Sequence, residues 1–444
     1  MQLQGPPEAP SNIPCILVTG GAGYIGSNTV LEMLSRRDQG PNGLGWEVVV
    51  IDNLSNSNTN ALLKAEELSG HKILAFHQID LLDTEAVQNV FRLHPNIWSV
   101  IHFASLKSVA ESCSNPLLYY EMNPGSTMNL LRSANELKKE GLLFVFSSSA
   151  CVYGDSLDQL TYDFSAPEAM MGATEDFETK PKSPYGNTKL MIETILQDLC
   201  AQHRKVPETA MRAVILRYFN PVGAHSSGYM GENPRQEPSN LVPIVTRVAR
   251  RIKYNEPTAR LKIYGNNWPT PDGSPVRDFV HVTDLARSHL SALEHLARLK
   301  APIENAGEDA WNCVTYNVGC GRGRSVREVI AMVEKVSGVA IPVEVVGRRE
   351  GDIGIAVSNP KKALVEMQWR TEKCFEDMCS DAWKFEMASF VPKAPLEQRD
   401  SEETLANIDD VHMENGEFHE LEGAKLKAHL EYKKSDTSLN ENTA

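Results

Sequence analysis

The sequence lacks any apolar run long enough to cross a membrane. Its longest runs, such as Val48–Ile51 and Leu142–Phe146, have the length of strands, whereas a membrane helix needs about 20 residues. The first residues, Met1–Pro14, contain no basic segment followed by an apolar run, so no secretory signal is predicted. These absences predict a cytoplasmic protein without a membrane partner.

The sequence lacks a cysteine pattern typical of metal or redox sites, although its cysteine usage is ordinary, with 8 residues in 444. The closest pairs, Cys313/Cys320 and Cys374/Cys379, have neither the spacing of a zinc site nor that of a CxxC redox motif. The histidines are scattered without the spacing of metal ligands. The sequence therefore predicts no metal site and a reducing compartment.

Positive charge is also in short supply, because 44 Lys and Arg stand against 58 Asp and Glu, a net charge of −14. This balance disfavours nucleic acid as a partner. Half of the net charge falls within 391–444, which holds 13 acidic and 6 basic residues. With so few aromatic residues this region can bury little apolar surface, so residues 389–444 are predicted to be a disordered acidic tail.

The first 200 residues alternate short apolar runs with helix-like stretches, which predicts a doubly wound parallel α/β sheet. The predicted strands are Cys15–Thr19, Glu47–Ile51, Ile73–Ile79, Val100–Phe103, Leu142–Phe146 and Ala213–Leu216. The predicted helices lie near Tyr24–Ser35, Thr59–Leu68, Thr84–Phe91, Pro116–Glu140 and Pro184–His203. Loops rich in Pro, Gly and Asn follow residue 220, which favours a smaller mixed α/β lobe over 221–388 after a main domain over 1–220, with some chain crossing.

A glycine-rich turn, Thr19-Gly20-Gly21-Ala22-Gly23-Tyr24-Ile25-Gly26, joins the first strand to the first helix. Gly20 permits a tight turn, Gly23 lets a pyrophosphate approach the backbone, and Gly26 lets the helix pack closely on the strand. The turn predicts a dinucleotide site on a Rossmann-type sheet, with a glycine-rich turn that binds no ligand as the alternative.

An acidic residue, Asp52, ends the second strand and can accept hydrogen bonds from a ribose 2′-OH, which favours NAD over NADP. It lies 26 residues after Gly26, further than usual for this fingerprint. We attribute the extra length to Arg37–Trp46, which is predicted to be a surface insertion.

The spacing GxxGxxG resembles the extended short-chain dehydrogenase/reductases, a resemblance that predicts a Tyr-x-x-x-Lys motif. Tyr185-Gly186-Asn187-Thr188-Lys189 supplies it on a predicted helix, where residues i and i+4 share a face. A neighbouring ammonium and an oxidised nicotinamide both favour the phenolate, so the pKa of Tyr185 is expected to be lowered when NAD is bound. Ser149, in a serine run that ends the fifth strand, is predicted to pass a proton between Tyr185 and substrate.

Five further runs resemble the UDP-glucose 4-epimerase family: Asp52–Ser57, Ile101–Lys107, Leu216–Ala224, Val276–Val282 and Arg348–Asp352. The resemblance covers about Ile16–Phe385. It implies NAD-dependent interconversion of UDP-glucose and UDP-galactose through a 4-keto sugar, in galactose metabolism. Tyr185, Lys189 and Ser149 are then the implied catalytic residues.

The resemblance also implies two sets of binding residues. Those for NAD are Gly20, Gly23, Tyr24, Ile25, Gly26, Asp52, Asn53, Leu54, Ser55, Asn56, Ser57, Asp80, Leu81, Phe103, Ala104, Ser105, Leu106, Lys107, Asn123, Ser149, Tyr185, Lys189 and Phe219. Those for the UDP-sugar are Lys107, Ser149, Tyr185, Asn220, Asn240, Leu241, Lys262, Ile263, Tyr264, Arg277, Arg349, Asp352 and Ala356.

Some of these side chains have the chemical properties that their implied roles need. Arg277 and Arg349 match a diphosphate, Tyr264 can stack on uracil, and Asp352 can accept from a ribose hydroxyl. In the family a small residue at the place of Ala356 admits an N-acetyl sugar, so UDP-GlcNAc and UDP-GalNAc are further expected substrates. Family members usually form homodimers through a four-helix bundle, which is expected here as well.

Alternatives remain open. An epimerase of UDP-pentoses or UDP-uronates fits the same motifs, because one sequence does not determine the sugar. A nucleotide-sugar 4,6-dehydratase needs an acid and a base at the serine run, where this chain has Ser149-Ala150-Cys151. A non-catalytic NAD-binding regulator is disfavoured by the intact Ser149, Tyr185 and Lys189.

Overall fold

Seven parallel strands form the central sheet in a computed structural model, which describes residues 13–39, 45–137, 141–160, 162–164, 172–202, 211–235, 237–258, 260–298, 313–349 and 352–390. The strands are β1 (Cys15–Thr19), β2 (Glu47–Ile51), β3 (Ala75–His77), β4 (Ile97–His102), β5 (Leu143–Ser149), β6 (Arg212–Tyr218) and β10 (Cys313–Val318). Their order is β10-β6-β5-β4-β1-β2-β3, and every pair is parallel. The order reverses beside β1, where ligands bind in such sheets.

Helices cover both faces of this sheet. They are α1 (Tyr24–Ser35), α2 (Asn60–Ser69), α3 (Thr84–Leu93), α4 (Val109–Ser114), α5 (Pro116–Leu137), α6 (Pro184–Gln202) and α8 (Val282–Arg298). Side chains that alternate along a strand enter opposite cores: Ile16 and Val18 pack with α1 and α8, and Leu17 packs with α3, α5 and α6. The apolar strands predicted from the sequence are therefore buried on two sides.

The remaining elements form a smaller mixed α/β region. They are β7 (Asn220–Val222), α7 (Leu241–Lys253), β8 (Leu261–Tyr264), β9 (Val276–His281), β11 (Gly323–Ser325), α9 (Val326–Ser337), β12 (Val343–Val346), β13 (Ile355–Ala356), α10 (Lys361–Glu366) and α11 (Phe375–Ala388). Strand β9 pairs in parallel with β7 and β13 and antiparallel with β11, while β8 pairs with β12.

This architecture confirms the predicted Rossmann-type parallel sheet with a mixed C-terminal part. The described residues pack as one unit that ends at Phe390, and the division near residue 220 stays a prediction. The predicted disorder of the tail lies outside the described residues.

The predicted surface insertion Arg37–Trp46 is wrong at its end. Trp46 is buried, and its indole Nε1 donates to the carbonyl of Met33 at 2.9 Å. The Trp46 amide also donates to the carbonyl of Arg37, at 3.2 Å. Trp46 therefore adds an aromatic side chain to the core between α1 and β2, and residues 40–44 of the segment lie outside the described residues.

Candidate active site

The glycine-rich turn between β1 and α1 is a backbone cradle. Gly20 has φ +70°, a conformation that favours glycine, and an added Cβ would lie 2.7 Å from the amide nitrogen of Ala104. At Gly26 an added Cβ would lie 2.3 Å from the carbonyl oxygen of Gly20. Gly23 has an ordinary φ of −72° and precedes the first turn of α1. The N-terminus of α1 therefore stands open to a phosphate.

The carboxylate of Asp52 holds the loop after β2 against this cradle. Its Oδ2 accepts from the backbone amide of Ala22 at 3.0 Å, and its Oδ1 accepts from the amide of Leu54 at 2.9 Å and the hydroxyl of Ser57 at 2.8 Å. Leu54 has φ +60°, in the left-handed region. The three hydrogen bonds leave one acceptor position on the carboxylate, which suits a ribose hydroxyl.

A cleft of about 580 Å³ opens from the cradle along the carboxyl ends of the strands. Most predicted site residues line it: Gly20, Gly23, Tyr24, Ile25, Gly26, Asp52, Asn53, Ser55, Asn56, Ser57, Asp80, Leu81, Phe103, Ala104, Ser105, Leu106, Lys107, Asn123, Ser149, Tyr185, Lys189, Phe219, Asn220 and Asn240. A glycine cradle without room for a Cβ atom at Gly20 or Gly26, a helix N-terminus and a carboxylate for a ribose together fit NAD.

The Tyr-x-x-x-Lys motif lies in the first two turns of α6, and both side chains are buried. The Lys189 ammonium donates to the carbonyl of Ser147 at 2.9 Å and lies 5.8 Å from the centroid of the Tyr185 ring. Helical spacing therefore brings these residues together at the wall of the cleft, as predicted.

The pKa values of this pair differ from the sequence expectation. Burial raises the pKa of Tyr185 well above its usual value; Tyr218 and Cys151 add to the rise, and a hydrogen bond from Ser149 opposes it. Burial also lowers the pKa of Lys189 to about 7. The chain's own groups therefore do not lower the pKa of Tyr185, because burial of the phenol raises it; the part of the prediction that rests on an oxidised nicotinamide stays a prediction.

Ser149 ends β5 and faces the same cleft. Its hydroxyl oxygen accepts from the backbone amide of Cys151 at 3.2 Å, which orients the hydroxyl at the start of a 3-10 turn. The same hydroxyl forms the hydrogen bond that opposes the raised pKa of Tyr185. The structure therefore brings all three predicted catalytic residues together.

Two predicted binding residues meet at a carboxylate that the sequence did not single out. The ammonium of Lys107 lies 2.8 Å from Oε1 of Glu232, and the amide of Asn240 donates to the same oxygen at 2.7 Å. Glu232 lines the cleft, and its charge adds to the burial that raises the pKa of Tyr24. No motif or spacing marks Glu232 in the sequence, since its partners lie far from it in the chain.

The side chain of Asn123 forms hydrogen bonds within the wall of the cleft. Its amide donates to the carbonyl of Leu106 at 3.1 Å and to the hydroxyl of Thr188 at 3.1 Å, and its oxygen accepts from the Leu106 amide at 2.8 Å. These bonds hold the loop after β4 against α6, beside Lys189.

A third group of predicted residues lies outside the lining of the cleft: Leu54, Leu241, Lys262, Ile263, Tyr264, Arg277, Arg349, Asp352 and Ala356. Arg277 forms an ion pair with Asp352. The Arg277 charge also acts on the thiol of Cys151, which does line the cleft. The charge of Arg277 therefore acts on a residue of the cleft wall, although Arg277 does not line the cleft.

The side chain of Arg349 competes with the predicted stacking of Tyr264 on uracil. The guanidinium carbon of Arg349 lies 3.7 Å from the centroid of the Tyr264 ring, a cation–π contact. Arg349 thus occupies one face of the ring, and a base would need the other face.

Ala356 is buried with Val152 and Phe219, and of these Phe219 reaches the cleft.

Among the described residues, no three His, Cys, Asp or Glu side chains are placed to hold a metal ion. Across the same ranges, no helix has the length and apolar character needed to cross a membrane.

Comparisons with known proteins agree with this geometry. Residues 16–319 match the NAD dependent epimerase/dehydratase family. A UDP-glucose 4-epimerase from Dictyostelium discoideum is 44% identical over 374 residues, which cover 84% of this chain and 95% of the relative.

Solved structures show the same likeness. A UDP-glucose 4-epimerase from Stenotrophomonas maltophila, with NAD and formylated UDP-arabinopyranose, has a TM-score of 0.71 at 35% identity, covering 84% of this chain and 98% of the other. One from Bifidobacterium longum, in complex with NAD+ and UDP, has a TM-score of 0.70 at 36% identity, again covering 84% and 98%.

Proposed function

The chain belongs to the NAD dependent epimerase/dehydratase family, and we propose on this premise that it interconverts UDP-glucose and UDP-galactose by inversion at C4. The observation that carries the proposal is the buried group Tyr185, Lys189 and Ser149 in a cleft continuous with the glycine cradle. A regulator without catalysis would not need these three groups together.

The chain's own residues handle the proton of the C4 hydroxyl. The phenolate form of Tyr185 accepts this proton at Oη, directly or through the hydroxyl of Ser149, and the resulting phenol returns it after the 4-keto sugar has presented its other face. When bound, NAD supplies a hydride acceptor and donor at the same carbon. The raised pKa of Tyr185 favours uptake of the proton by the phenolate, while the Lys189 ammonium stabilises the phenolate and so favours return of the proton to the sugar.

The sugar must turn while its nucleotide stays in place. We propose that Arg277 and Arg349 hold the diphosphate, because guanidinium groups match phosphate oxygens in geometry and charge. Binding energy from UDP then orients a sugar that makes few fixed contacts of its own. The ion pair between Arg277 and Asp352 orients this arginine beside the cleft.

A direct assay tests the proposed activity. Purified protein is mixed with UDP-galactose, products are resolved chromatographically, and absorbance reports free NADH. We expect UDP-glucose to form without an accumulation of NADH, because the hydride returns within one cycle. Steady release of NADH would instead indicate a net dehydrogenase and would overturn the proposal.

We further propose that UDP-GlcNAc and UDP-GalNAc are substrates. Ala356 is small, pairs in register with Arg277 across β13 and β9, and packs with Phe219 at the cleft wall. A residue without a long side chain at this place leaves room beside the sugar for an N-acetyl group.

The variant Ala356→Tyr is expected to lower the ratio of UDP-GlcNAc to UDP-glucose turnover by roughly 5- to 150-fold, since a steric clash of this kind costs roughly 1–3 kcal/mol. Initial rates with each substrate give the ratio, and UDP-glucose turnover reports whether the variant folds. Ala356→Ser serves as the small control. An unchanged ratio in the tyrosine variant would reject this role for Ala356.

The proposed oligomer is a homodimer. Helices α5 and α6 pack on each other and expose a set of apolar side chains: Leu117, Leu118, Met128 and Met191. Leu117 alone is 81% exposed. A second copy that covers these side chains would remove them from water. Light scattering of the purified chain should give twice the mass of 49.2 kDa, and a single-chain mass would reject the dimer.

We propose a cytoplasmic location. None of the eight cysteines, all of which lie among the described residues, forms a disulfide. Cys151 lies in the catalytic cleft, where oxidation would add bulk beside Tyr185. A reducing compartment suits both observations.

A further inference from the structure

A buried carboxylate continues the catalytic face of α6. Tyr185, Lys189 and Glu193 follow one another at four-residue spacing, and their exposures are 6%, 2% and 1%. Four-residue spacing aligns side chains along one side of a helix. The proton transfers described above use the first two residues and leave Glu193 without a role.

Both oxygens of the Glu193 carboxylate accept hydrogen bonds. Its Oε1 accepts from the hydroxyl of Ser148 at 2.5 Å and from Nε of Arg217 at 3.0 Å, and its Oε2 accepts from Nη2 of Arg217 at 2.5 Å. Ser148 and Arg217 stand opposite each other in the register of β5 and β6. Glu193 therefore ties α6 to two adjacent strands at the end that borders the cleft.

Ser148 stands between two residues that contact the catalytic pair. The carbonyl of Ser147 accepts from the Lys189 ammonium at 2.9 Å, and the hydroxyl of Ser149 bonds to Tyr185. A shift of Ser148 would move both neighbours, since they share one extended strand end. The bond from Ser148 to Glu193 thus determines where these two contacts lie.

We infer that Glu193 is a positioning residue of the epimerase site, whose carboxylate holds the Ser147–Ser149 strand end in place and counters the buried charge of Lys189. The inference rests on the proposed function and adds a residue to it. Glu193 lies behind this strand end and acts through Ser148 and Lys189.

Electrostatics agree with the geometry. Burial lowers the pKa of Lys189, whereas the charges of Glu193 and Cys151 raise it. The other titratable groups that face Lys189 are Tyr185 on α6 and His102 on β4, whose own pKa is lowered to about 3 by burial and by the Lys189 charge. His102 is thus neutral near pH 7, and the charge of Glu193 is the largest effect that opposes the lowering of the Lys189 pKa by burial.

The variant Glu193→Gln tests this role because glutamine keeps an acceptor for Ser148 and removes the charge. We expect kcat to fall roughly 10- to 100-fold with KM within about twofold. Loss of the carboxylate lowers the pKa of Lys189, so the alkaline limb of the kcat profile should move about one unit to lower pH. Epimerase assays across pH on the NAD-loaded enzyme measure both.

A second variant separates catalysis from folding. Glu193→Gln alone leaves the Arg217 charge buried without its partner, which is strongly destabilising. Glu193→Gln/Arg217→Gln removes both charges, and Arg217 is not among the groups that shift the pKa of Lys189. The alkaline limb should therefore stay displaced in the double variant. Recovery of the wild-type kcat and pH profile in the double variant would show a purely structural pair and overturn the inference.

Asp284→Asn provides a matched control. Asp284 is a buried carboxylate on α8 that accepts from the amides of Glu372 and Lys373, away from the cleft. Its variant should lose stability without displacement of the alkaline limb; an equal displacement there would mean that the pH profile reports folding and would overturn the inference. Absence of epimerase activity in the wild-type protein would reject the proposed function, whereas an active wild type with an unaltered Glu193→Gln variant would reject the positioning role alone.

Discussion

Replacing Tyr185 with phenylalanine is expected to lower the turnover of UDP-galactose about 1,000-fold, within the range that a general acid–base group contributes. The change removes one oxygen atom and keeps the ring that lies beside Lys189. Because Oη is the atom proposed to take and return the C4 proton, its loss affects both directions of the cycle. KM should change little, since the diphosphate contacts are elsewhere.

The fold should survive this substitution. The Tyr185 hydroxyl bonds to Ser149 at the cleft wall, and its loss leaves no charged group without a partner. Tyr316→Phe is the matched control: its hydroxyl is also hydrogen-bonded, to His295 and Glu366, and the residue does not line the cleft. Initial rates and thermal unfolding of both variants distinguish a loss of catalysis from a loss of stability. Turnover above about a tenth of wild type in Tyr185→Phe would remove Tyr185 from its proposed role.

Much of the fold is predictable because local signals and burial agree. Strands β1 and β2 are apolar on both faces and end at Thr19 and Ile51, where glycine or a polar loop follows, so their predicted and observed bounds coincide. Strand β5 runs three residues beyond its predicted end at Phe146. Its last residues are serines, which have no strand signature of their own and are ordered by pairing with β6.

The contacts that the sequence cannot reveal are those between distant polar residues. Glu232 pairs with Lys107 across 125 positions, and neither residue belongs to a spacing pattern that connects them. The cation–π contact between Arg349 and the Tyr264 ring likewise depends on how two separate segments of the chain approach each other. Motif spacing identifies residues that share one turn or one helix, such as Tyr185 and Lys189, while these pairs need the whole fold.

The pKa of Tyr185 is also something that the motif alone does not predict. A Tyr-x-x-x-Lys motif states that an ammonium is near, but it does not state how much water is lost around the phenol. Burial decides the direction here and raises the pKa. The chain's own groups therefore hold Tyr185 as a phenol, and positive charge in the adjoining cleft is needed to favour the phenolate.

Gly23 offers a test of the cradle that separates cofactor binding from folding. An added Cβ at Gly23 would approach only the carbonyl oxygen of Gly20, at 3.2 Å, and its φ of −72° suits any residue. At Gly26 an added Cβ would lie 2.3 Å from that same oxygen. Gly23→Val should therefore fold and place its methyl groups in the cleft, whereas Gly26→Ala should be destabilised by about 1–3 kcal/mol through overpacking.

We expect Gly23→Val to carry less than about a tenth of the wild-type NAD and to lose epimerase activity in proportion, because the side chain occupies the place where phosphate meets the helix N-terminus. Extraction of bound nucleotide gives the NAD content, and thermal unfolding should show a midpoint within a few degrees of wild type. Added NAD should restore part of the activity if binding alone is weakened. A variant that retains stoichiometric NAD would mean that the phosphates do not rest on this turn, since a valine there leaves no room for them beside the backbone of α1.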